Sequence, residues 1–318
     1  MNPPVWHDGE TALQRTVDAE DALAALGSRV VRDRLVDQHR DFFSLLPMVV
    51  YATVDGEGDI WPTLRAGRPG FLTTRDDRHL HVALTDDEGD PARVGLVDGA
   101  AIALLGIDPR TRRRNRLNGN VAGKGDDGFD LEVAQSFGNC PKYIRLRDVS
   151  FTRDPSLRTA APARLATTLD ARDRALIERA DTFFVASYVD RADAGRQADV
   201  SHRGGRPGFV RVGVDGELTI PDFAGNDFFN TLGNIRVNPR AGLVFADFER
   251  GDLLQLAGSA EVLLDSPETA AFAGAERLWR FVPRRVVRRP DALPLRWPPR
   301  EHGESPFLET TGAWPKRH

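Results

Sequence analysis

Over residues 1–40 the apolar positions recur every three to four residues, the period of helices with one buried face. Asp18 stands where it could cap the run AEDALAALG, with Leu23 and Leu26 on one face and Gly27 at its end. A second run from Ser28 sets Val30, Val31, Leu35 and Phe42 along a single stripe, read as packing against the rest of the protein. From Pro47 the period shortens. MVVYATVD, DIWPTLR, GFLTT, HLHVALT, AAIALLGID and RLNGNV are short apolar or alternating runs separated by Gly, Asp and Pro. Such spacing predicts an antiparallel barrel or sandwich. DPARVGLVDG predicts a short helix between two strands, and the stretch from Asp154 to Arg164, rich in Ala, Arg and Pro, a linker. A helix follows from Asp170.

The strand pattern then begins again. The tetrad RPGF ends at Phe71 and recurs ending at Phe209, 138 positions later. AAIALLGIDPRTRRRNRLNG, ending at Gly119, matches RAGLVFADFERGDLLQLAG, ending at Gly258, 139 positions later. Two matches at nearly one offset predict a tandem duplication: two small β-barrels in one chain, facing each other as a pseudo-dimer. The predicted organisation is a helical extension over 1–40, a first barrel over 41–153, a linker and helix over 154–180, a second barrel over 181–300 and a tail over 301–318. A cleft between two rigid scaffolds is a preferred place for a ligand. The halves differ at FAGNDFFNTLGNIRVNPRAG, which predicts a helix from Asn226 ending before Pro239, and at QSFGNCPKYI. That divergence predicts one working site built from both halves.

Composition narrows the function classes. Forty-three basic against 47 acidic residues leave a net charge of −4, which gives no global reason for a nucleic-acid partner. One cysteine, Cys140, excludes an internal disulfide and a cysteine-rich zinc module. No run approaches the roughly 20 apolar residues of a membrane span, and MNPPVWHDGE lacks the order of a signal peptide. A cytoplasmic protein without membrane or nucleic-acid partners is the simplest reading.

Candidate chemistry gathers in three segments. SHRGGRPGFV offers a glycine turn whose N–H groups can approach a ligand, flanked by Arg203 and Arg206, multi-donor cations suited to phosphate; a plain hairpin turn is the competing reading. A helix starting in NDFFNTLGN would turn its N–H groups toward an anion, with Asn230, Thr231 and Asn234 as added donors. In QSFGNCPKYI, Cys140 reads as an inert thiol rather than a nucleophile, since no His lies near it in the chain, and Lys142 and Tyr143 could contact a polar ligand. His79 and His81 share a strand face without a third ligand, so no metal is expected. Arg110, Arg112, Arg113, Arg114 and Arg116 read as a solvated edge that discourages strand addition. GxGxxG after a strand, GxxxxGK[ST] and GxSxG are absent.

HDGETALQ, TRRRNRLNG, QSFGNCPKYI, SHRGGRPGFV and FFNTLGNIRVNPRAGLVF together resemble the pyridoxamine 5'-phosphate oxidase-like FMN-binding split-barrel proteins, and among them the tandem flavin-nucleotide-binding branch. The resemblance implies a mainly β chain with flanking helices, folded as two tandem six-stranded Greek-key split barrels. It implies non-covalent FMN at the barrel–barrel interface, a small-molecule redox substrate and a capacity to form a homodimer. Phe209, Val210, Arg211 and Val212 would support the flavin. Phe229, Asn230 and Thr231 stand where the oxidases carry a phosphate-binding Ser-Arg-Lys segment, but without its Arg and Lys. The dianion would then fall to Arg203, Arg206 or Arg211, with His202 beside them. Gln135 and Ser136 would reach across from the other barrel, and Lys142 would sit near the pyrimidine edge. An FMN-dependent oxidoreductase is the resulting expectation, with no catalytic side chain identified. A non-catalytic FMN carrier or sensor, or a haem-handling split barrel using His202, are the alternatives.

Overall fold

The computed structural model describes residues 4–157 and 161–314; the expected linker falls partly, and the end of the tail wholly, outside them. The first half contains β1 (Met48–Val54), β2 (Ile60–Ala66), β3 (Leu72–Thr73), β4 (His79–Val82), β5 (Ala101–Asp108), β6 (Arg113–Gly125) and β7 (Gly128–Gly138). They form one antiparallel sheet in the order β2-β1-β5-β6-β7-β4-β3. Two short strands, β8 (Ser150–Phe151) and β9 (Arg164–Ala166), lead to the second half. There β10 (Thr182–Arg191), β11 (Gly195–Gly204), β12 (Arg211–Val212), β13 (Leu218–Phe223), β14 (Arg240–Ala246), β15 (Leu253–Leu263) and β16 (Ala275–Arg289) pair in the order β11-β10-β14-β15-β16-β13-β12. Strand for strand, the two orders are the same. Each half is a Greek-key split barrel of six strands with a two-residue strand at one edge; β9 pairs with β16, and β17 (Leu295–Arg296) with β8.

The matched segments occupy matching places. In both halves RPGF makes one turn: Gly70 (φ 96°) and Gly208 (φ 86°) are left-handed, and Phe71 and Phe209 each donate their N–H to the carbonyl of the tetrad's Arg at 2.9 Å. Gly119 and Gly258 each lie where a β-bulge shifts the register of the long hairpin. A Cβ on Gly119 would fall on the carbonyl of Glu132, and one on Gly258 on that of Val282. Only glycine lets the backbones approach this closely.

Strand alternation fills three cores. Tyr51, Trp61, Leu104 and Leu131 point into the first barrel, and Phe183, Ile220, Leu243 and Trp279 into the second. Val50, Ile60, Ala103, Phe184, Ala186 and Val244 point outward into a third core that joins them. Strands β1, β5 and β14 are therefore buried on both faces, which explains their nearly continuous apolar runs. The halves cross reciprocally, β11 against β5 and β6, and β2 against β14 and β15.

The helices differ from expectation in detail. Helix α1 (Asp8–Arg15) is capped by a reciprocal pair, His7 accepting from Gly9 N and Glu10 from His7 N. Asp18 caps nothing; it takes a left-handed φ of 54°, and α2 (Glu20–Val30) starts after Ala19 with no side-chain cap. Gly27 lies inside α2, pressed against the Trp6 indole, and Leu26 is exposed. The stripe from Val30 to Phe42 breaks, because the chain leaves the helix at Val31 and re-enters it in α3 (Asp37–Ser44). The helix expected in DPARVGLVDG is one 3-10 turn, Pro91–Gly95. Helix α4 (Ala171–Arg179) starts at its Asp170 cap, but α5 (Asn230–Val237) begins four residues later than Asn226. No helix among the described residues is long and apolar enough to cross a membrane.

If the two bulge glycines let the long hairpins close, Gly119→Ala and Gly258→Ala should each lower the urea midpoint, at a cost of about 1–3 kcal/mol. Gly56→Ala, where an added Cβ meets nothing within 4 Å, serves as the neutral control. Midpoints equal to the control would remove this role from the bulges.

Candidate functional site

A pocket partly open to solvent lies where β6 of the first barrel meets β11, β13 and α5 of the second. Because β11 is an edge strand, residues from both its faces reach this pocket: Ser201 and Arg203 from one, His202 from the other. Strand β6 contributes Arg114 and Arg116, two apart and so on one face. The start of α5 supplies Asn230 and Thr231, and the loop after β7 supplies Asn139, Cys140, Lys142 and Tyr143.

Cations dominate the lining. Buried Arg116 pairs with Asp199 at 3.0 Å and donates to Ser201 Oγ and Asn230 Oδ1, both at 2.5 Å. Arg203 and Arg277 share one carboxylate, that of buried Asp222. Arg114 has no carboxylate partner among the described residues. Its nearest acceptors are Nδ1 and the carbonyl of His202, at the long distances of 3.4 and 3.5 Å. The Arg114 side chain is half-buried, but its Nε is fully shielded and unpartnered, as are the Nε atoms of Arg116 and Arg203. Desolvation, then the charges of Arg116 and Arg203, push the Arg114 guanidinium down to about 9, with Cys140 acting the other way. Burial and the neighbouring Arg114, Arg203 and Arg147 hold His202 well below the ordinary imidazole range, so it is neutral. Burying charge is costly unless it is paired, and the half-buried Arg114 guanidinium lies among other cations with its Nε unpartnered.

Aromatic rings make up another part of the lining. Phe209 stacks on Phe183 at 5.8 Å, Phe223 lies 5.2 Å from Tyr143, and Phe229 sits under the Arg277 guanidinium at 4.8 Å. Phe229 is left-handed (φ 59°), turning the chain into α5. Helix α1 backs this turn. Gly9 and Gly233 allow the two helices to touch, since a Cβ on either would strike the other helix. That contact brings Glu10 Oε1 to 2.6 Å from Asn230 Nδ2, and His7 Nε2 to 2.8 Å from Asn234 Oδ1. Burial raises the Glu10 carboxyl to about 7, against hydrogen bonds from His7 and Asn230 that lower it.

Of the residues expected at a ligand site, His202, Arg203, Phe209, Phe229, Asn230, Thr231 and Lys142 line this pocket. Lys142 is half-buried, its Nζ 3.5 Å from the Ala224 carbonyl and 5.2 Å from the Phe307 ring. The others are engaged elsewhere. Arg206 belongs to the RPGF turn, as Arg68 does in the first half, and donates to the Leu308 carbonyl at 3.0 Å. Val210 is core, and Arg211 forms a bidentate pair with Glu268 beneath Trp314. Gln135 accepts from Asn118, and Ser136 is buried under α3, 2.9 Å from His39 Nδ1. The arginine run corrects the sequence reading. Strand β6 is central, between β5 and β7, so Arg114 and Arg116 lie inward against the second half instead of on a solvated edge. Their signal was the i, i+2 spacing on a strand with neighbours on both sides. Glu10 was signalled by its capping-box spacing from His7.

No family model matches this sequence, and no curated protein matches it. Among solved structures it is similar to HupZ of Group A Streptococcus (18% identical, 37% of this chain, 92% of that chain, TM-score 0.30). Others are a "putative pyridoxamine 5'-phosphate oxidase" of Lactobacillus delbrueckii (19%, 33%, 95%, 0.27) and the FAD binding protein of Mycobacterium smegmatis (14%, 39%, 99%, 0.27). At such identities and scores the likeness speaks to neither ligand nor activity.

Glu10 has a pH signature. Its folded value, about 7, lies above the ordinary 4.5, so the native state holds the proton longer than the unfolded chain. Stability from this group is complete below pH 4.5 and is lost as pH rises through 7, about 3 kcal/mol in all. Urea unfolding at pH 5 and pH 8 should show Glu10→Gln gaining on wild type as pH rises; a constant difference would contradict the burial of an ionisable carboxyl here.

Proposed function

We propose that the chain is an FMN-binding flavoprotein, and that the pocket between the barrels holds the cofactor. The observation that carries this reading is Arg114: a half-buried guanidinium with a shielded, unpartnered Nε and no carboxylate partner among the described residues, beside Arg116 and Arg203 in a pocket lined in part by aromatic rings. A phosphate dianion needs several fixed donors in a dry setting, and these side chains have unmet N–H groups to offer. An amphipathic ring needs flat apolar walls, which Phe209, Phe223, Phe229 and Tyr143 supply. When bound, FMN would provide hydride and electron transfer itself. Arg114, Arg116 and Arg203 would bind its negative end, α5 and Glu10 would hold Asn230 and Thr231 in place, and Lys142 would add positive charge. No acid–base pair is required of the chain, which agrees with a site built of cations, donors and aromatic rings. We take the protein to be an oxidoreductase of a small redox substrate.

A haem reading would need His202 as the axial ligand, and that imidazole lies against the Arg114 guanidinium in a site rich in cations.

Arg114→Ala should weaken FMN binding at least about tenfold, or about 1.4 kcal/mol, in a fluorescence-quenching titration. Arg206→Ala should leave it unchanged. Equal effects of the two would refute this arrangement of the pocket. The function itself is tested on the protein purified with its chromophore: a flavin spectrum is expected, bleached anaerobically by NADH or NADPH. A flavin spectrum that neither donor bleaches would favour a carrier or sensor.

A further inference from the structure

The reciprocal crossing of the halves gives the pocket a counterpart. Val185 pairs with Ser201 in the second half as Tyr51 pairs with Thr63 in the first. Leu105 pairs with Arg116 as Val244 pairs with Gln255. The anchors agree, because Tyr51 lies opposite Leu104 and Val185 opposite Leu243. Where β11 of the second half meets β6 of the first, Arg116 therefore faces Ser201; where β2 meets β15, Gln255 stands in the place of Arg116 and Thr63 in that of Ser201. Two residues along, Arg65 corresponds to Arg203, Leu253 to Arg114, and Arg289 of β16 to Asn139 after β7.

That counterpart is closed. Asp90, which precedes the 3-10 turn, puts a fully buried carboxylate among these side chains. Its Oδ2 accepts from Thr63 Oγ1 at 2.6 Å and lies 3.0 Å from Arg289 Nη1 and 3.9 Å from Arg65 Nη1. Its Oδ1 accepts from Gln255 Nε2 at 3.2 Å and from Ala92 N at 3.1 Å. Arg289, itself 4% exposed, also holds Thr63, Gln255 and Asp87. Hydroxyl, amide and guanidinium donors converging on one buried carboxylate form a complete anion site. Leu253 removes the cation that in the pocket has no internal partner.

We propose that the first barrel retains a buried anion-binding site at the position corresponding to the pocket, and that its resident anion is the chain's own Asp90 carboxylate. The ligand class of the emptied site is a small carboxylate. With the reading of the pocket as the FMN site, on which this corollary alone rests, the chain binds one FMN instead of two.

The test is rescue by an external carboxylate. Asp90→Gly opens a carboxylate-sized vacancy, whereas Asp90→Asn fills it with a neutral group of the same shape. Thermal unfolding of both variants and the wild type is measured in sodium formate and in sodium chloride at equal ionic strength. Formate should raise the Tm of Asp90→Gly above its value in chloride, increasingly with concentration, and by about 2–4 °C for each tenfold or so of saturation. It should leave the wild type and Asp90→Asn unmoved. Equal responses of the two variants, or no response of Asp90→Gly, would overturn the proposal. Should Asp90→Gly be recovered only unfolded, it is refolded in the two salts: recovery in formate alone supports the site, and equal recovery or none in both overturns it. A wild-type FMN titration separates the two readings. One site per chain supports both, and two equal sites overturn the closed counterpart. No binding overturns the flavin reading, and the formate response then decides the Asp90 site by itself.

Discussion

The packing of one barrel's edge strand on the other barrel's central strands sets up everything else in this molecule. Strand β11 lies against β5 and β6, and β2 against β14 and β15, over a shared apolar core. At its heart the contact is hydrophobic, built from Val50, Ile60, Phe184 and Val244. At its two ends it becomes polar, because an edge strand leaves backbone and side chains that its own sheet does not cover. Each end must therefore satisfy buried polar groups with partners from the opposite half. One end does so internally, through Asp90, Arg289 and Thr63. The other is left with an excess of positive charge around Arg114.

That imbalance is an electrostatic statement as much as a geometric one. Desolvating Arg116 is offset by Asp199, and Arg203 and Arg277 are offset together by Asp222. Arg114 gains only a weak dipolar contact from His202, and the surrounding guanidiniums keep that imidazole neutral. Native structures seldom carry a partly desolvated cation without a reason when its cost is not repaid within the fold. Unmet potential of this kind concentrates at functional sites.

Much of the architecture was legible in the sequence, because strand alternation and turn glycines are local signals. RPGF at Phe71 and Phe209, and the segments ending at Gly119 and Gly258, marked matching places in the two halves, which the structure shows to be the same left-handed turn and the same bulge. Half of the pocket was legible too, through His202, Arg203 and the start of α5. What escaped was decided at long range. Whether Arg114 faces water or protein depends on a barrel folded from residues some 90 positions later, and the spacing in TRRRNRLNG records only that Arg114 and Arg116 share a face. Arg206 and Arg211 looked like ligand cations but meet Leu308 and Glu268, whose placement depends on distant loops. Glu10 carried a local capping signal, but its contact with Asn230 depends on a helix 220 residues later.

The bridge from Glu10 to Asn230, continued to Arg116, ties together three stretches of chain, the outermost 220 residues apart. Contacts of such separation form late, after the loop entropy between them has been overcome. During synthesis the first barrel can close its own Asp90 cluster only when β15 and β16 have emerged, and α1 waits for α5 to dock. Both ends of the interface are thus completed only after β15 and β16 have emerged. Anything held in the pocket would meet two halves already joined, and would act as a clamp on an assembly that neither half can make alone.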